Sequence, residues 1–253
     1  MPDDLRILKV YADSVQIAIE SRVRVQGRSN MTLLPDFFAI DVYNMPDEDL
    51  GKVRSSNILF VNGLDNSTIC YGQIEDIFVR PSESNVVTTI SISDGSDFWN
   101  AQIRKTIGRG AGVRESISAI LKGAVLGSYL AENPRLIRGQ TISGKQPEII
   151  RSYAQSLNAR AFLSHGVLHI VEKGKAENTV IIPESELIEE PSIANGVCIL
   201  QLKVKGYAVG SMAIVRGKQY RIAAQSVDAD NFSGMWRTEL ILVNEDMLSW
   251  MGG

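Results

Sequence analysis

Five residues in mid-chain, Gly108-Arg109-Gly110-Ala111-Gly112, place three glycines at alternate positions ahead of an apolar periodic run. Glycine-rich turns at a helix start can aim backbone N–H groups at a phosphate. That chemistry usually needs GxxxxGK followed by Ser or Thr, and here Val113-Arg114-Glu115 follows instead. A dinucleotide loop needs GxGxxG between a parallel strand and a helix. The third glycine here comes one place early, and no repeated βαβ pattern flanks it. The glycines fit a strand-to-helix connection in which they supply backbone angles that other residues avoid. His165 and His169 stand four apart, a spacing that shares one face of a helix, as in HExxH zinc sites. Gly166 and the alternation of Val167, Leu168 and Ile170 favour a hairpin instead. No Glu follows His165 and no third ligand is evident, so both read as exposed hairpin histidines. A GxSxG elbow is absent. Asp94 and Asp97 are near neighbours, but Ser93-Asp94-Gly95 has the chemistry of a turn that closes a strand. We therefore expect no catalytic constellation, no cofactor and no metal. The alternatives are a phosphate- or nucleotide-binding enzyme using residues 108–112, or a β-rich carbohydrate- or protein-binding module with Trp99, Trp236 and Trp250 as stacking residues.

The composition points the same way. Of 253 residues, 44% are apolar and 22% charged, the balance of a folded globular chain, and the length suits two or three small domains. The formal net charge of −3 lacks the basic footprint of a nucleic-acid binder. It does not oppose a channel through which nucleic acid passes. Cys70 and Cys198 lie far apart in strand-like apolar runs and are expected as two buried free thiols. The acidic N-terminal stretch does not read as a secretory leader, and no run approaches about 18 apolar residues, so no membrane span is expected.

Positioning these residues falls mostly to strands. Residues 5–11, 15–19, 22–26, 37–43, 58–61, 68–79 and 85–93 alternate or carry strand formers. Residues 46–50 form a short acidic, Pro-led helical insertion, and residues 81–84 join the last two strands. From Asp94 the character changes. Residues 101–107 suggest a strand, residues 112–124 and 146–158 helices, and residues 161–164 and 167–171 a hairpin turning at His165-Gly166. Strands return at 180–182, 197–204, 210–215, 219–227 and 236–243, with a hairpin tip at 228–234. The reading is a mainly β chain with an α+β middle part: two small β-barrel-like domains, 1–93 and 183–253, flanking a mixed α/β unit, 94–182. No short-period repeat is seen.

Four stretches carry a resemblance. They are Phe38-Ala39-Ile40-Asp41-Val42-Tyr43-Asn44; Tyr71-Gly72-Gln73-Ile74-Glu75-Asp76-Ile77 with Thr89-Ile90-Ser91-Ile92-Ser93-Asp94-Gly95; Gly144-Lys145-Gln146-Pro147-Glu148-Ile149-Ile150 leading to Gly166-Val167-Leu168-His169-Ile170; and Val209-Gly210-Ser211-Met212-Ala213-Ile214-Val215 with Gln219-Tyr220-Arg221-Ile222 and Gly234-Met235-Trp236-Arg237-Thr238-Glu239-Leu240. In this order they resemble the baseplate hub proteins of contractile-tailed, Mu-like bacteriophages and related contractile injection systems. The resemblance implies a non-enzymatic structural virion protein of the tail baseplate, made and assembled in the host cytoplasm. It implies a homotrimer with two similar barrels per subunit. Its six barrels would adapt a trimeric tail spike protein to the hexameric tail tube or tube-initiator protein, beside other baseplate proteins, with DNA only in transit through the channel. No lysozyme-like segment of the longer hubs is seen. Polar or terminal features available to neighbours are Pro46 and Asp49 in the acidic insertion, Asp228, Asp230 and Asn231 at the hairpin tip, and Met247 and Trp250 in the apolar tail.

Overall fold

The computed structural model describes residues 6–63, 65–82 and 84–245. Its elements run β1 (Lys9–Ala12), β2 (Val15–Ile17), β3 (Val23–Asn30), β4 (Asp36–Tyr43), α1 (Asp47–Ser55), β5 (Ile58–Asn62), β6 (Thr68–Ser82), β7 (Asn85–Asp94), α2 (Ser96–Asn100), β8 (Gln102–Ile107), α3 (Val113–Ile120), β9 (Val125–Leu130), β10 (Gln140–Lys145), α4 (Gln146–Ser156), β11 (Ala159–Ser164), β12 (Val167–Glu172), β13 (Thr179–Ile181), β14 (Ser192–Ala194), β15 (Val197–Leu202), β16 (Met212–Val215), β17 (Lys218–Asp230) and β18 (Trp236–Val243). The protein is mainly β, and its α+β part lies in the middle of the chain.

Local chemistry sets these elements. In β4 the two-residue period buries Phe38, Ile40 and Val42 and leaves Phe37 outside. Helix α1 has Asp47, Glu48 and Asp49 in its first turn and Lys52 and Arg54 in its last, matching its dipole. It outruns the expected 46–50 insertion because Lys52 bonds back to Glu48 and Asp49 and Val53 reaches the core. Helix α3 buries Val113, Ser116, Ile117 and Ile120 and stops short of the expected Ala124. Buried Gln146 holds the chain there, accepting from the Lys122 amide and donating to the Lys122 carbonyl, and Gly123 follows at φ +65°.

Strands β1 to β7 and β13 to β18 form one 13-stranded sheet whose main path is β14-β15-β18-β17-β3-β4-β7-β6-β5-β1-β2. Two sets of four consecutive strands share one topology within it. The first is ordered β4-β7-β6-β5 and the second β15-β18-β17-β16, each the first, fourth, third and second strand of its set. The match holds at single residue pairs. Gln73 faces Ser93 and Ile74 faces Ile92 in the first set; Arg221 faces Val243 and Ile222 faces Leu242 in the second. One β-bulge follows directly in each, at Glu75 and at Ala223. Val42 opposite Thr88 corresponds to Leu202 opposite Thr238, and Leu59 opposite Gly72 to Ala213 opposite Tyr220. The chain thus holds a duplicated four-stranded unit. The copies are joined where β3, an edge partner of β4, pairs with residues 224–230 of β17.

Each unit has its own core. Val25, Ile40, Leu59 and Ile90 belong to the first, and Cys198, Leu200, Ala213 and Leu242 to the second. A third core, with Phe98, Ile117, Ile150, Leu168 and Ile170, lies in the middle part. There β8 pairs with β10, and the β11·β12 hairpin takes β9 as a parallel third strand.

Candidate assembly surface

Around the β3 junction, the face of the long sheet turned from the cores is mostly polar. In β3, Val23 and Val25 are buried, Arg24 is half-exposed and Gln26 and Arg28 are exposed. Register lines these residues up with neighbours on both sides of the junction. One row reads Arg237, Asp228, Gln26, Ala39, Ser91 and Asp76; the next reads Glu239, Ser226, Arg28 and Phe37. A shallow groove crosses the junction among Gln26, Arg28, Phe37, Asp228, Arg237 and Glu239. Its charges alternate in sign and fall on β3 and on the second duplicated unit.

Both ends of this antiparallel run are open. Strand β5 covers β6 only as far as Gln73. Among the described residues, no strand pairs the outer side of residues 76–82. At the other end, among the described residues, β14 pairs only with β15. These edges carry exposed apolar groups: Phe78 and Val79 on β6, and Ile193 on β14.

Of the residues expected at an interface, Pro46 is exposed just before α1. Asp49 is half-buried, accepting from the Ala18 amide at 2.9 Å and from Lys52 at 3.0 Å. Asp228 and Asp230 are not in the hairpin tip. Strand β17 continues through both because their carboxylates take Arg24 (3.3 Å) and Arg22 (2.5 Å) across the junction. Asp230 is buried and also caps the amides of Phe232 and Ser233, while Asn231 accepts from the Val23 amide at 2.8 Å. Pairing with Arg22 and the two amides hold the Asp230 carboxyl below its usual range, against the opposing cost of burial. The group that leaves the tip for solvent is Phe232, 75% exposed. A lone aromatic between Asn231 and Ser233 was the signal that could have found it. Met247 and Trp250 lie outside the described residues.

The chemistry-bearing stretches serve as joints. Gly110, at φ +84°, turns the chain between β8 and α3, where the sequence placed a connection. At the start of α3 the Arg114 amide is already taken by Asn133 Oδ1 at 2.9 Å, and the Glu115 carboxylate faces the Asn133 amide group. A side chain and a negative charge therefore stand where an incoming phosphate would have to sit. The histidines are not exposed as expected: both are half-buried, His165 because the β11·β12 tip docks on the first unit and His169 because its ring stacks on Phe162. His165 sits edge-on to Tyr71, and the Gly166 amide donates to Asp94 at 2.6 Å. Burial, with the charge of His169, pulls His165 down to about 4. Across the β4·β7 pair Asp94 faces Asp36, which accepts from the Asn30 amide at 2.9 Å. Burial raises Asp36 to about 8 and Asp94 to about 6. Cys70 and Cys198 are buried free thiols. Trp236 packs on the first core, and Trp99 lines an apolar groove with Leu34, Pro35 and Phe37. Among the described residues, no cluster of metal-ligating side chains occurs and no helix is long and apolar enough to cross a membrane.

No protein-family model matches the sequence, and no curated protein matches it. Solved structures of distant sequence share its fold. A tail protein from Neisseria meningitidis MC58 is 12% identical with a TM-score of 0.61, over 94% of this chain and 96% of that one. The 43 kDa tail protein of prophage MuSo2 from Shewanella oneidensis is 10% identical with a TM-score of 0.65, over 94% and 98%. An E. coli component of the type VI secretion system, itself structurally similar to the T4 bacteriophage tail proteins gp27 and gp5, is 10% identical with a TM-score of 0.62, over 94% and 76%.

Proposed function

We propose that this chain is a structural tail protein, the baseplate hub of a contractile tail or related injection system, and that it acts as a homotrimeric ring. In this reading residues 1–93 and 183–253 are barrel-like domains around the mixed unit 94–182. The observation that carries the proposal is the duplicated four-stranded unit with open edges. A ring of three chains presents six such units, so one face can meet a threefold spike while the other meets a sixfold tube or tube-initiator ring. Exposed edges invite pairing with a further strand. Unlike edges joined head to tail close into a ring when the rotation between copies permits. The polar face would line the channel, where interspersed charge lets DNA pass without being held. The fold shared with phage tail proteins supports this role, and the occupied start of α3 weighs against a phosphate-using enzyme.

The test is a native mass measurement of the purified protein at high concentration, followed by mixing with tube and spike proteins of the same tail. The expected result is a trimer that joins both. A protein that stays monomeric and binds neither overturns the reading.

A further inference from the structure

The internal junction supplies a template for the contact between copies. Residues 224–230 of β17, which pair with β3, correspond in the duplicated unit to residues 76–82 of β6, whose outer side is open. On the other edge, β14 stands to β15 as β3 stands to β4. Ala194 faces Val197 as Arg28 faces Phe37, Ile193 faces Cys198 as Gly27 faces Phe38, and Ser192 faces Ile199 as Gln26 faces Ala39. We propose that β14 of a second copy adds antiparallel to the open edge of β6 in the register of the β3·β17 junction. This sets Phe78 opposite Ala194, Val79 opposite Ile193 and Arg80 opposite Ser192 of the neighbouring copy. The inference rests on the hub reading and specifies its subunit contact.

Three features of the side chains agree. Within the chain, Val227 faces Gly27 and is 2% exposed. Its counterpart Val79 is 40% exposed and the opposing Ile193 is 52% exposed, so the seam would bury two apolar groups that now meet water. The volumes are exchanged as well. Gly27 leaves room for Phe38, since a Cβ there would lie 2.3 Å from the Phe38 ring. At the second site the large residue is Ile193 and the small one is Cys198. Finally, the ion pair between Asp228 and Arg24 bridges the internal junction diagonally at 3.3 Å. Carried two residues past Ser192, the same correspondence sets Arg80 against Glu190, the same pair with its charges reversed, where Glu190 would be shared with Arg216 of its own chain at 2.9 Å. The ladder then ends, because Pro81 meets Pro191 and neither has an N–H to donate.

Three measurements on the full chain test this. The first is the native mass of the unmodified protein. The second is oxidation of Phe78→Cys with Ala194→Cys, a pair on the face away from Cys198, since directly opposed strand residues come within disulfide reach. The third compares Arg80→Glu, Glu190→Arg and the two combined. The seam predicts a covalent ladder up to trimer in the double-cysteine protein and none in either single variant. Each single charge reversal should raise the half-dissociation concentration about two- to fivefold per seam, with recovery in the combined variant. A trimer that gives no 78–194 link, or that links Phe78→Cys to Ser192→Cys instead, overturns the seam and leaves the hub reading intact. A trimer indifferent to both charge reversals also counts against it. A protein monomeric at all concentrations overturns the hub reading, and the seam with it.

Discussion

Replacing Asp36 with Asn should make the protein less sensitive to alkali. Asp36 is 5% exposed, faces Asp94 across the β4·β7 pair and feels the charge of Arg28 only weakly. Burial and the neighbouring acid lift it to about 8, and burial lifts Asp94 to about 6, both from an ordinary 3.8. The folded protein therefore keeps protons that the unfolded chain gives up. The stability associated with these protons is complete below pH 4 and is lost as pH rises through the folded values. Each retained proton gives a slope of about −1.4 kcal/mol per pH unit. Two operate between about pH 4 and 6, and one between about pH 6 and 8. Asn at position 36 keeps an oxygen for the Asn30 amide and removes one proton from this account. The stability of the variant minus that of the parent should climb by about 1.4 kcal/mol per unit from pH 4 to 8, about 5–6 kcal/mol in all, and then level off. Urea denaturation of both proteins at pH 4.5, 6, 7.5 and 9 measures this. A difference that stays constant within about 0.5 kcal/mol across that series would refute the reasoning.

Other substitutions probe the joints. The guanidinium of Arg221 is 3% exposed and is held by Glu245 and by the carbonyls of Gly210 and Lys175. Glu245→Gln should lower stability by about 3 kcal/mol by leaving that cation without its counter-charge, and Glu245→Gln combined with Arg221→Met should recover part of the loss in thermal melts. Gly27→Ala places a Cβ 2.5 Å from the Phe37 carbonyl oxygen as well as against the Phe38 ring, and should cost about 1–3 kcal/mol by chemical denaturation. Asn133→Ala frees the Arg114 amide at the start of α3 and should cost about 1 kcal/mol. Nucleotides should leave the melting temperature of the parent unchanged; a nucleotide-dependent rise lost with a bulky residue at Gly110 would revive the phosphate reading.

Much of the fold was legible because its strands carry their period in local sequence. The alternation in β3 and β4, the Pro-led start of α4 and the His165-Gly166 turn each depend on neighbours in the chain. Strands β9 and β10 escaped notice because their partners are remote: β9 adds parallel to β12, and β10 crosses to β8. Its Gly127-Ser128 pair gives β9 little strand character of its own. The burial of His165 follows from the docking of a hairpin tip on Tyr71 and Asp94, which no local pattern announces. The duplicated unit is fainter still. Ile74 and Ile222 agree between copies, but Glu75 and Ala223, Phe38 and Cys198, and Gly27 and Ile193 do not. What the copies share is the pairing of backbone groups, which tolerates side-chain change wherever volume and polarity are balanced by a neighbour. For the same reason Asp228 and Asp230, placed in a loop by their residue type, belong to a strand whose arginine partners lie some 200 positions away in sequence.

Carrying both copies on one polypeptide also frees them from identity. Were each unit a separate gene product, any change would recur at every position of an assembled ring. In the proposed ring alternate positions could be dressed differently. The first unit places α1 between its first two strands, whereas the second crosses from β15 to β16 with no helix. In the proposed ring the polar rows would keep a common sixfold spacing while the outer decoration would repeat only threefold, so one gene would set the ratio of the two kinds of position and neither could be over-supplied.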